Sequence, residues 1–106
     1  MNYASLMTAL KHLHADTYDR AAPHGLTRFA VLSRYGAEHI QGDGRTLMNL
    51  PRCQLDVWCE GPDDELPDRF CEFLTGLDVP YQIVDEVWDD ELSLYRVIIQ
   101  LEVLGK

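Results

Sequence analysis

From Cys53 to Glu60 the chain alternates strictly: Cys53, Leu55, Val57 and Cys59 are apolar, while Gln54, Asp56, Trp58 and Glu60 stand between them. An extended strand places such a set on one side, because successive side chains point to opposite faces. One face is therefore buried against a core and the other is polar, as in a sheet covered on one side. The strand is expected over about residues 46–60, and Pro51, which lacks an N–H, marks its early part as an edge or a bulge. The same period returns near the end of the chain. Tyr95, Val97, Ile99, Leu101 and Val103 share one parity, with Arg96, Gln100 and Glu102 on the other, in a strand over about 93–104.

Helical spacing appears in two places. Tyr3, Leu6, Met7, Leu10 and Leu13 form an apolar stripe over 3–14, and Leu66, Phe70, Phe73, Leu74 and Leu77 form another over 62–76. The second helix is expected to carry Asp63, Asp64 and Glu65 in its first turn, where the helix dipole favours negative charge. Pro67 fits near that start and Gly76 fits the stop. Residues 15–27, with Pro23 and Gly25, read as a loop, "RFAVLSRYG" reads as a strand over about 28–36, and "DDEL" closes a hairpin between strands over 80–88 and 93–104. The resulting order is helix, two strands, helix, two strands. It implies a single α+β domain spanning 1–106, with a mixed four-stranded sheet and both helices packed on one face. Its core is expected to contain Leu6, Leu10, Leu55, Val57, Phe70, Leu74, Val97, Ile99 and Leu101.

Charge narrows the function. The formal net charge is −9, with nine scattered basic residues against eighteen acids, so specific nucleic-acid binding is not expected. No apolar run approaches the ~18 residues of a membrane span, and the first residues carry no secretion signal. Three cysteines without a Cys-x-x-Cys pair suggest neither a disulfide framework nor a zinc site, and Cys53 and Cys59 share the core parity. His12 and His14 are two apart on a helix and face different ways, and His24 and His39 fall in loops, so all four read as solvated. Cys71 sits on an acidic helix that raises a thiol pKa, which disfavours nucleophilic chemistry. The acids Asp85, Glu86, Asp89, Asp90 and Glu91 cluster at a hairpin, where polar residues are ordinary. Gly42-Asp43-Gly44 lacks the remaining ligands of a calcium loop and the Lys-Ser/Thr of a phosphate loop. No catalytic residue, metal or cofactor is expected, and the polar turns read as partner surfaces.

The segments "RFAVLSRYG", "GDGRT", "CQLDVWCEG", "PDDEL" and "DDELSLYRVIIQLEVL" follow one another in a pattern that resembles small neck proteins of long-tailed bacteriophages, the tail terminator or tail completion proteins. The resemblance covers about residues 28–104. In this chain Trp58 stands where those proteins often carry tyrosine, and the loop at 37–45 has fewer basic residues. The resemblance implies a structural virion protein, assembled in the host cytoplasm, that forms a ring, expected as a hexamer, on the end of the tail tube. Its partners would be further copies of itself, the major tail protein and the head–tail connector. An acidic channel lining, which does not hold DNA phosphates, agrees with the composition. The contact-making residues are expected to be Gly42, Asp43, Gly44, Arg45, Trp58 and the hairpin with Trp88, Asp89, Asp90, Glu91 and Leu92. The alternatives are another neck component, such as a head-closure or tail-tube-like protein, or a small acidic cytosolic adaptor for a protein partner.

Overall fold

A computed structural model describes residues 1–35 and 52–103. Helix α1 (Tyr3–Leu13) starts where the Asn2 side chain accepts the Ser5 amide, 2.8 Å, and carries Lys11 and His12 in its last turn, where cations suit the dipole. Strands β1 (Thr17–Asp19), β2 (Phe29–Tyr35) and β3 (Arg52–Cys59) follow, then α2 (Leu66–Gly76), β4 (Tyr81–Asp89) and β5 (Leu94–Glu102). The strands form one mixed sheet in the order β1-β2-β3-β5-β4.

The sheet thus has five strands where four were expected, although the α+β class is the same. The extra strand, β1, lies within the segment read as a loop and pairs in parallel with β2, Thr17 opposite Ala30 and Asp19 opposite Leu32. Three residues are too few to show alternation. The strand exists because its neighbours hold it: fully buried Thr17 bonds the His14 carbonyl through its hydroxyl, 2.7 Å, and the Arg20 amide reaches the Leu32 carbonyl, 2.9 Å. Its outward carbonyls are taken as well. The Thr17 carbonyl accepts from Lys11 Nζ, 2.8 Å, and the Asp19 carbonyl accepts from the Ala21 amide, 2.9 Å.

Helix α2 begins at Leu66, four residues later than its acids suggested. Asp63 and Asp64 precede it, and Asp64 Oδ1 accepts the Leu66 amide, 2.9 Å, while a bidentate pair with Arg28 holds the same carboxylate. The Asp64 carboxyl is consequently held below its ordinary range, first by the Arg28 guanidinium and also by the Leu66 amide.

Both helices pack on the same side of the sheet. Leu6 and Leu10 from α1 and Leu66, Phe70 and Leu74 from α2 join Leu32, Leu55, Val57, Val97, Ile99 and Leu101 in one cluster. All nine residues expected in the core are at most 3% exposed. His14 does not lie in solvent: half-buried, it donates from Nε2 to the Arg28 carbonyl, 3.1 Å, and meets Phe70 edge-on at 5.9 Å. The other side of the sheet is only partly covered. There Phe29, Val31 and Leu94 form a small second cluster, with Tyr18, Ala22, Leu26 and Trp58 packed around it.

Candidate protein interface

The open side of the sheet is organised by Trp58. Its place on β3 opposite Arg96 of β5 and Phe29 of β2 puts all three on this side. The Trp58 ring stacks on Phe29 at 4.8 Å between centroids, and the Arg96 guanidinium lies 5.1 Å from its centroid. Arg96 in turn donates to Asp56 Oδ2, 3.1 Å, and the Gln54 amide donates to Asp56 Oδ1, 3.0 Å. Strand parity assigned Asp56 to a polar face, yet its residue is 6% exposed. The carboxylate tolerates that burial because it is paired with a cation and an amide donor.

Asp89, at the end of β4, fastens the neighbouring turn to this cluster. Its Oδ2 accepts the Trp58 indole N–H, 3.2 Å, and its Oδ1 accepts the Leu92 amide, 3.1 Å. These bonds, the Leu92 one first, hold the carboxyl below its usual range. A shallow groove of about 300 Å³ runs between this turn and the 20–26 loop, with Leu26, Phe29, Asp56, Trp58 and Leu92 in its walls.

Of the residues expected to make contacts, Trp58 is half-buried against its own chain, and Trp88 is 52% exposed. The two tryptophans are on opposite sides of the sheet, since Trp58 stands opposite Arg96 and Trp88 opposite Tyr95. Asp89 is half-buried on the Trp58 side, and Asp90, Glu91 and Leu92 are exposed in the turn that Ser93 closes with a φ of 57°. Gly42, Asp43, Gly44 and Arg45 lie outside the described residues.

The strand expected over 80–88 is β4, but the sequence did not show that it lies at an edge of the sheet. Tyr81, Ile83, Val84 and Trp88 are 37–52% exposed there. "YQIVDEVWD" has apolar residues of both parities because a bulge at Val84 breaks the register between Ile83 and Asp85. Phe29, Asp56 and Arg96 were also missed as members of a site. Their one signal is that Asp56, Trp58 and Arg96 all stand on the non-core parity of adjacent strands.

All three thiols are buried; burial raises each, and takes Cys53 to about 11. For Cys71 burial outweighs the nearby acids, while a bond from Tyr81 opposes the rise. Among the described residues no group of three His, Cys, Asp or Glu could hold a metal ion. No helix among them is long and apolar enough to cross a membrane. No family model matches the chain, and no curated protein or solved structure gives a significant match.

Proposed function

We propose that the protein is a structural, non-enzymatic component of virion assembly, a tail terminator that forms a ring on the head-proximal end of a phage tail tube. The ring joins the tube, built of the major tail protein, to the head connector. Support comes from the succession of segments that resembles such neck proteins, and from one physical observation. Among the described residues, six large apolar side chains are exposed, and five of them lie between Tyr81 and Leu92. Three of them, Tyr81, Ile83 and Trp88, share the helix side of the edge strand β4, and apolar surface exposed along one edge suits an interaction surface better than scattered single residues do. Its position beside the acidic turn suits a protein whose work is contact.

Electron microscopy of purified protein with and without tail tubes tests the assignment. Rings seated on one end of each tube are expected. Asp90→Lys/Glu91→Lys, at the exposed turn, is expected to fold normally by circular dichroism and to block tail completion. Normal particles from a clean deletion of the gene would refute the terminator function.

A further inference from the structure

The two edges of the sheet are built differently. At β1 both outward carbonyls are taken, as described above, and the strand is three residues long. Strand β4 is nine residues long and, among the described residues, pairs with β5 alone. The Glu102 amide donates to the Pro80 carbonyl, 3.1 Å, which sets the phase of the ladder. Antiparallel alternation then turns the backbone groups of Gln82 toward β5 and those of Tyr81 and Ile83 outward. Past the Val84 bulge the phase moves by one residue: Asp85, Val87 and Asp89 face β5, and Glu86 and Trp88 face out. The outward Glu86 amide is held by Asp85 Oδ1, 2.8 Å.

The outward-turning residues are also those whose side chains lie on the helix side, where Tyr81, Ile83 and Trp88 are 37, 40 and 52% exposed. On the other side Gln82, Asp85, Val87 and Asp89 follow one another. The strand at this edge carries Asp85, Glu86 and Asp89 and no basic residue. From Phe70 to Tyr95 the chain has seven acids and no lysine, arginine or histidine. A second copy pairing antiparallel with β4 about the middle of the strand would bring Asp85 and Glu86 close to their own counterparts, and like charges directly opposite are destabilising. Complementary charge selects a different guest. We propose that β4 is the docking edge for an extended segment of another protein in which apolar residues alternate with lysine or arginine, added antiparallel as a sixth strand.

In that register the apolar residues of the guest lie beside Tyr81, Ile83, Trp88 and Glu86, whose carboxylate already accepts from the Tyr95 hydroxyl, and its basic residues lie beside Gln82, Asp85, Val87 and Asp89. Main-chain bonds supply the attachment and the alternating side chains supply the selectivity. The proposal goes beyond the tail assignment and stands apart from it, because it concerns the edge itself in any assembly.

The test uses the whole protein and a labelled ten-residue peptide of alternating valine and lysine, followed by fluorescence anisotropy. Saturable binding is expected, at least tenfold weaker when glutamate replaces lysine. Antiparallel pairing routes the bonds through guest residues opposite Tyr81, Ile83 and Trp88, which are the valines. N-methylation of the valines should therefore weaken binding at least tenfold, whereas N-methylation of the lysines should change it less than twofold. Ile83→Asp should weaken binding tenfold with an unchanged circular dichroism spectrum. Failure of the valine–lysine peptide to bind, or equal binding by the two methylated peptides, would overturn the proposal. So would a dimer of the protein in sedimentation that Ile83→Asp abolishes, since the occupant of the edge would then be a second copy.

Discussion

Replacing Asp56 by alanine leaves two donors without their acceptor, the Arg96 guanidinium at 3.1 Å and the Gln54 amide at 3.0 Å. Breaking a fully buried ion pair costs about 3–5 kcal/mol, and a hydrogen bond to a charged group contributes about 1.5–3 kcal/mol. The Asp56 side chain is 9% exposed, but that of Arg96 is 31% exposed, so water reaches the guanidinium once its partner is gone. The cost should fall below the fully buried range, at about 2–3 kcal/mol. For a domain of this size that corresponds to a Tm lower by about 8–12 °C. Urea denaturation should show a lower midpoint with an unchanged slope, the sign of lost stability without a changed unfolded state. The sharper comparison is Asp56→Leu/Arg96→Met. It removes both charges together and should come within about 1 kcal/mol of the parent, because a buried pair and an apolar replacement of similar volume are nearly equivalent. A single variant within about 0.5 kcal/mol of the parent, the usual range for surface changes, would show that Asp56 is not buried in the way described. A double variant as damaged as the single one would show that packing around Trp58, and not an orphaned charge, sets the cost.

Ile99→Ala, at a fully buried position in the main core, should cost about 2–5 kcal/mol by urea denaturation; a cost near zero would contradict the assigned strand face. The Asp64 carboxyl has a lowered folded-state pKa, so its contribution is present above the unfolded value of about 3.9 and is lost as pH falls through the folded value. Thermal melts between pH 6 and about 2 should accordingly be less pH-dependent in Arg28→Gln than in the parent, and parallel curves would refute that linkage. The three buried thiols should react with a maleimide or an aromatic disulfide only on unfolding, and one rapid native-state equivalent would contradict their burial.

The two strands with clean alternation, β3 and β5, were legible because each has one face under the helices and one face that is only partly covered. The short β1 was not. Its pairing depends on Thr17, Lys11 and Leu32, which no local window brings together. Helix α2 was read as starting at its acids, whereas Asp64 serves the helix from outside as an acceptor for Leu66. At the candidate interface, parity placed Trp58 on the non-core side. It could not show that Phe29 and Arg96 would cover the ring, because those contacts join residues 29 and 38 positions away. The exposure of Tyr81, Ile83 and Trp88 was hidden for a related reason. An edge position is a property of strand order, and the crossing of β5 between β3 and β4 is fixed only by tertiary pairing.

The closure of β1 limits the valence of the molecule. Stacking sheets edge to edge without end requires two receptive borders per copy, and here Lys11 and Ala21 occupy the outward carbonyls of one of them. Copies joined through their β4 edges would therefore stop at a pair, because the border left over on each is the β1 edge whose carbonyls are taken. By the same geometry, a ring of these subunits could not be a continuous belt of hydrogen-bonded strands through β1. Its joints would have to be made by side chains, and the circumference could open or close without unravelling any subunit's sheet.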